Sequence, residues 1–193
     1  MIINMNLKNL IGHLYTLLSP TLRSAKVNKT ALIIKPLKMD NAKAISIGAR
    51  TYIGHYAWLM GGSADKKITI QIDENVQIGH FAHIVGMENV HIEKKVLIAD
   101  KVFISDCTHN YNNIDIPIMD QGVKVLKPVT IGEGTWIGEN VCVCGANVGK
   151  HCVIGANSVV LRDIPDYCVA AGNPARVIKK YDFTEQRWKI VTN

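Results

Sequence analysis

His109 is the residue in this 193-residue chain best placed to do chemistry. A neutral imidazole titrates near working pH and is matched to taking a proton from an attacking hydroxyl. The oxyanion that develops in such an attack needs fixed donors, which backbone amides at a turn can supply. A loop histidine bonded to backbone is the plainer alternative, but His109 stands at the start of a conspicuous interruption, ISDCTHNYNNIDIPIMDQGVKV from Ile104 to Val125. Arg162, Arg176 and Lys179 form a second group. They suit phosphate, which arginine can grip with two parallel hydrogen bonds, although a solvated basic face reads the same way. The five cysteines are Cys107, Cys142, Cys144, Cys152 and Cys168. Cys107 could be argued as a nucleophile beside His109, but it is a neighbour by sequence only. Cys142 and Cys144 with His151 and Cys152 invite a zinc site. Zinc knuckles space their paired ligands by two or more residues and these have one between them, so no metal is expected.

What must position these groups is a repeat of six. Aliphatic residues recur at Ile47, Ile53 and Leu59; at Ile72, Ile78 and Ile84; at Ile92, Ile98 and Ile104; at Ile131, Ile137 and Val143; and at Val148, Ile154 and Val160. Glycine follows many of them, and a small or β-branched residue sits four positions on, as at Thr51, Ala57, Val76 and Ala82. Neither the helical period nor simple alternation makes this beat. A short strand followed by a corner does, with aliphatic and small residue both inward and the glycine available for unusual dihedrals at the turn. Three sides make one triangular coil, so the series predicts five stacked coils of a parallel β-helix. The step from Val143 to Val148 is one residue short.

The chain is long enough for a sizeable core without disulfides. It is 48% hydrophobic but only 6% aromatic, which suits narrow aliphatic layers. The charge of +6 is scattered except near the C-terminus, which favours a small anionic ligand over nucleic acid. The odd cysteine count, with no signal peptide ahead of it, predicts a reducing, cytoplasmic setting. Residues 1–29 read as a helical segment, since NLKNLIGHLYTLL at 6–18 has one apolar face, too short and interrupted to span a membrane. It suits a cover for the end of the stack or a peripheral membrane contact. Residues 30–164 read as the β-helix, with an active-site loop at 105–130. Residues 165–193 read as a closing segment with a short helix from Thr184 to Trp188.

VLIADKVFISDCTHNY followed by KPVTIGEGTWIGENV resembles the hexapeptide-repeat acyltransferases, in the branch of maltose, galactoside, colanic-acid and capsular-polysaccharide O-acetyltransferases. The resemblance implies a left-handed parallel β-helix, His109 as catalytic base, acetyl-CoA as cosubstrate, and direct transfer to a sugar or glycan hydroxyl. It places Trp136 beside the thioester and CoA contacts at Glu139, Ala156, Leu161, Arg162, Arg176 and Lys179. It also implies a homotrimer with each site between subunits. Glu139 replaces a small polar residue of the family, Leu161 replaces a threonine, and the galactoside-type asparagine is missing near Gly79 and His80. The loop, HNYNNIDIPIMDQG, is closer to capsule and colanic-acid enzymes, so a simple galactoside is not the expected acceptor. His55, His80 and His83 lie inside coils and read as surface or satisfied histidines.

Other readings share the scaffold. An amino-sugar N-acetyltransferase would commonly carry a nucleotide-binding domain ahead of the β-helix, for which 1–29 is too short. A zinc hydratase would need a histidine pair five apart, and none surrounds His109. A non-catalytic scaffold using the prism as a rigid surface is the reading from a different class.

Overall fold

The computed structural model describes Leu22 and residues 24–63 and 67–191; the helix read at 6–18 lies outside the described residues. Within them every aliphatic of the series, from Ile47 to Val160, is no more than 2% exposed. The companions four residues on, such as Thr51, Val76, Val102, Thr135 and Ser158, are buried as well. Thr108 is the exception, half-exposed because it has already left the column. Each buried isoleucine contributes on the order of 2 kcal/mol, and β-branching suits the short extended sides.

Three parallel sheets form the faces of a left-handed β-helix. The first face stacks Lys26–Val27, Ile45–Ile47, Ile70–Ile72, Val90–Ile92 and Val129–Ile131, and bridges from Ile131 to Val148 to Ile164 extend it. The second stacks Leu32–Ile33, Tyr52–Ile53, Gln77–Ile78, Leu97–Ile98, Trp136–Ile137, Val153–Ile154 and Cys168–Ala171. The third stacks Lys38–Asp40, Trp58–Gly61, His83–Gly86, Phe103–Ser105, Cys142–Cys144 and Val159–Val160. Six strands on the third face mean six coils, one more than the series of hexads predicts. The extra coil opens at Lys26, inside the stretch read as a helical segment. Its inward residues Val27, Ile33 and Met39 keep the spacing of six without the glycines.

The glycines serve a different purpose from the one expected of them. Those after the aliphatics are not in the left-handed region; a Cβ on Gly48 would lie 2.5 Å from the carbonyl carbon of Asp73 in the next coil. They are there because adjacent coils approach too closely for a side chain. The left-handed dihedrals fall two residues later, on Arg50, Tyr56, Asn75 and Phe81, with φ of 55, 59, 57 and 56°. Such a conformation costs a non-glycine residue about 1 kcal/mol, which the ladders on either side offset.

The C-terminus corrects a second expectation. Thr184 to Trp188 is not a helix; Arg176–Asp182 and Arg187–Ile190 form an antiparallel hairpin that extends the second face beyond Cys168–Ala171. Asp182 makes the turn. It pairs with Lys189 at 2.7 Å and accepts the amides of Thr184 and Glu185 at 2.9 Å, which together hold its carboxyl down to about 2.

Candidate active site

The interruption is a projecting arm built at the end of the third face. After Ser105 the chain buries Asp106 completely, and its carboxylate accepts the amides of Met87, Glu88 and Asn89 at 2.8, 2.7 and 2.9 Å. A carboxylate satisfied by three backbone donors fixes the turn of the preceding coil to the root of the arm. Cys107–His109 then pairs antiparallel with Val123–Val125, bringing His109 opposite Val123. Further along, Asn110 N–H donates to the Gly122 carbonyl at 2.9 Å, and Leu126 N–H to that of Asp106 at 2.8 Å. Gln121 braces the tip by donating to the carbonyls of Asn113 and Ile116, both at 2.7 Å.

His109 therefore sits on a laddered stem and not on a loose loop. Its side chain is exposed, and its ring makes no hydrogen bond among the described residues, unlike a histidine tied to backbone. Both ring nitrogens are open to a ligand. The tip beyond it is apolar and bare, with Ile114 95% and Met119 85% exposed.

The positions expected to hold CoA fall on three lines, not in one cluster. Glu139 and Ala156 lie one coil apart on the edge between second and third faces, where Asn157 N–H donates to the Glu139 carbonyl at 2.9 Å. Arg176 reaches the same edge, since it pairs with Ala171 while Ala175 N–H donates to the Val159 carbonyl at 2.8 Å. Trp136, 49% exposed, shares an outer line of the second face with Val153, Val169 and Lys179. Leu161 and Arg162 follow Val159–Val160 at the far end of the third face. The basic group is thus divided, with Arg162 on one face and Arg176 and Lys179 on another. Glu139 forms an ion pair with Lys101 at 3.4 Å.

Two residues beside the arm were not singled out by sequence. Asp106 is one, and its only signal was a polar residue at the end of a buried strand. His83 is the other. It stacks on Trp58 with ring centroids 4.3 Å apart and meets Phe103 at 5.2 Å. Its Nε2 is buried with no hydrogen-bond partner among the described residues, and burial holds its imidazole below the usual value. It is neither a surface histidine nor a satisfied one. The His80 ring is satisfied, its Nδ1 accepting the backbone N–H of His55 at 2.9 Å, and the Nδ1 atoms of the two rings lie 3.3 Å apart. Among the described residues no three His, Cys, Asp or Glu side chains are arranged to hold a metal ion.

Comparisons with known proteins agree with this architecture. Residues 128–162 match a family model described as the hexapeptide repeat of succinyl-transferase. Escherichia coli (strain K12) WbbJ, assigned as a lipopolysaccharide biosynthesis O-acetyl transferase, is 39% identical over 127 residues, covering 62% of this chain and 65% of that protein. The galactoside O-acetyltransferase of the same strain is 32% identical over 143 residues, or 70% of this chain and 66% of that one. The chain thus spans less than two thirds of the length of these relatives. Among solved structures the Bacillus cereus N-acyltransferase AntD, in complex with coenzyme A and dTDP-4-amino-4,6-dideoxyglucose, superposes with a TM-score of 0.69. That match covers 82% of this chain and 84% of AntD at 22% identity, and so speaks for the fold. The six-residue series, the three parallel faces and the arm at the end of the fourth coil, with these likenesses, make the chain a member of the hexapeptide-repeat acyltransferase family.

Proposed function

We propose that the protein moves the acetyl group of acetyl-CoA to a hydroxyl of a sugar or surface-polysaccharide unit, with His109 as general base. The observation that carries this is the arm: an imidazole with both nitrogens free, held on a hairpin stem whose root is clamped by a buried carboxylate. Neutral His109 takes the proton of the acceptor hydroxyl as its oxygen attacks the thioester carbonyl carbon. The tetrahedral oxyanion collapses, the carbon–sulfur bond breaks, and the departing CoA thiolate receives the proton from the imidazolium. Glu139, Ala156 and Arg176 line one edge along which the donor lies, and Arg176 and Lys179 suit its phosphates. Trp136 and Leu161 offer apolar surface to the pantetheine arm, and Arg162 a further cation.

The names of the two E. coli relatives support a sugar hydroxyl as acceptor. All five cysteines are unpaired, which suits the reducing cytoplasm. No helix among the described residues is long and apolar enough to cross a membrane. The bare apolar tip of the arm and the half-exposed aromatic ladder of the third face suit a homotrimer, in which three copies close a ring and the arm of one meets the donor edge of the next. The test is acetyl transfer from acetyl-CoA to a panel of glycans, followed by thiol release and then by mild alkali. An O-acetyl ester is cleaved by alkali and an amide survives; an alkali-stable product would replace this reading with N-acetylation. Mixing His109→Ala and Arg176→Ala chains should restore part of the activity if the site is shared between subunits, and no restoration would place it within one.

A further inference from the structure

Three sulfurs gather at the root of the arm. Cys142 and Cys144 flank the buried Val143 on the third face, both half-buried and facing outward, with their Sγ atoms 3.5 Å apart. Cys144 is in register with Ser105, from which the arm departs, and the Ser105 hydroxyl lies 3.3 Å from Cys107 Sγ. Gly145 N–H donates to the Ser105 carbonyl at 2.9 Å, and a Cβ on Gly145 would lie 2.8 Å from Leu126 on the returning leg. The missing side chain at Gly145 thus leaves room for that leg.

The pair also lies among the positions assigned to the donor. Glu139 precedes Cys142 by three residues at the edge, and Leu161 and Arg162 follow Val159–Val160, which pairs with Cys142–Val143. Within one chain, the wall between these positions and the arm is formed by Cys142 and Cys144.

Their chemistry sets them apart from the other thiols. Cys152 and Cys168 are buried and donate to the carbonyls of Pro165 and Asp166 at 3.0 and 3.5 Å, and burial pushes both thiols up. Cys107 is likewise pushed up by burial. In the pair, the hydrogen bond from Cys144 holds Cys142 down to about 7, while Cys144 is driven up. The hydrogen bond between them thus favours the thiolate of Cys142 over that of Cys144.

We propose that Cys142 and Cys144 are a redox-active dithiol in the wall of the donor groove, and that its partner is the disulfide of coenzyme A. This rests on the donor site proposed above, because a groove that holds the pantetheine arm of a thioester presents the same arm of a CoA disulfide to the same wall. The Cys142 thiolate attacks one sulfur of that disulfide. The CoA sulfur–sulfur bond breaks, one CoA leaves as thiolate and takes a proton from water, and the other stays linked to Cys142. Cys144, losing its proton to water, then attacks Cys142 Sγ and expels the second CoA. The balance is two protein thiols oxidised and one CoA disulfide reduced to two CoA thiols. A bridge between residues two apart on an extended strand is strained and therefore easily reduced, so the change is reversible. While oxidised, the wall obstructs the donor.

The experiment treats the reduced full-length protein at pH 7 with CoA disulfide or with glutathione disulfide, and follows intact mass and the position of the label. The expected result is a loss of two hydrogens in intact mass with the bridge confined to the Cys142–Cys144 peptide, about tenfold faster with CoA disulfide because the groove concentrates it. Desulfo-CoA, which fills the groove without a thiol, should slow it. Cys144→Ala should retain one CoA per chain, and Cys144→Ser, which keeps a hydrogen-bond donor, should label faster than Cys144→Ala. Equal rates with the two disulfides, or labelling at Cys107, would overturn the proposal, and the comparison of oxidants on the unaltered chain needs no variant to fold. The two readings fail separately. Selective oxidation by CoA disulfide without acetyl transfer to any glycan would sink the acceptor assignment alone, whereas acetyl transfer with unselective oxidation would sink only the dithiol.

Discussion

The hairpin of Cys107–His109 and Val123–Val125 leaves the stack, whereas that of Arg176–Asp182 and Arg187–Ile190 finishes it. Both are antiparallel additions to a parallel solenoid, and the difference lies in their partners. The C-terminal hairpin joins a sheet, adding two strands to the second face, and its Val177 packs against the core. The arm is a two-stranded sheet by itself, joined to the coils by the Asp106 clamp, the Ser105 hydroxyl and Leu126. An open solenoid end is a liability that has to be capped. Among the described residues nothing packs on the outer side of the projecting hairpin, which therefore needs another reason, and the role proposed for His109 is one.

The sharpest way to break the comparison is at the imidazole. His109→Ala should lower the chemical step by a factor of about a hundred or more, the usual worth of a general base. The Kd for CoA and the melting temperature should hardly move. A variant that kept most of its turnover would reduce the arm to a structural appendage like its counterpart.

Next comes the clamp. Asp106→Ala leaves the amides of Met87, Glu88 and Asn89 without their acceptor, which should cost roughly 2–4 kcal/mol in urea unfolding and loosen the arm. Asp106→Asn keeps one acceptor oxygen and should fall between. Asp182→Ala, at the turn of the other hairpin, is the matched control; its carboxylate is only part-buried and far from the arm, so stability should shift less and kcat not at all. If both substitutions had the same effect on kcat, the distinction between arm and cap would be lost.

A smaller effect is expected at the donor edge. Arg176→Ala should raise KM for acetyl-CoA by roughly tenfold, more at low ionic strength, because phosphate contacts are then least screened. Dephospho-CoA is the control, since a loss that is equal with both donors would rule out a contact to the 3′-phosphate.

The smallest effect concerns pH. His83 is held neutral below its ordinary 6.5 by burial, so the unfolded chain binds a proton on this group before the folded one does. Stability should therefore fall as pH drops from 6.5 through the lower folded value, and His83→Phe should flatten that part of the melting-temperature profile. An unchanged acid limb would show that His83 titrates as freely folded as unfolded.

Much of the column could be read from the sequence because each coil repeats one physical requirement, an inward aliphatic every six residues. Val27, Ile33 and Met39 keep that spacing too; the first coil was missed because no glycine follows them and Leu37, in the companion position, is 66% exposed. The break and His109 were visible as a departure from the beat. The C-terminal segment was misread because Thr184 to Trp188 lacks any pattern stronger than helix propensity, and the Asp182 turn decided it instead. The positions proposed for the donor came only through family likeness, and their division into three lines depends on which coil sits beneath which. Asp106 and the facing of Cys142 toward Cys144 depend on contacts between residues distant in sequence or on side-chain rotamers, which no local spacing displays.

The hydrogen bonds that pass from coil to coil make this molecule one-dimensional. Each coil has only two neighbours, so a fault in one of them is a boundary at which the halves can separate. The arm leaves from the fourth coil, which is laddered to a coil above and another below on all three faces. An insertion at either end would have had fraying at its root. In the interior, unzipping must arrive from a distance before it reaches His109, so partial melting of the termini should spare the geometry of the arm until late in unfolding.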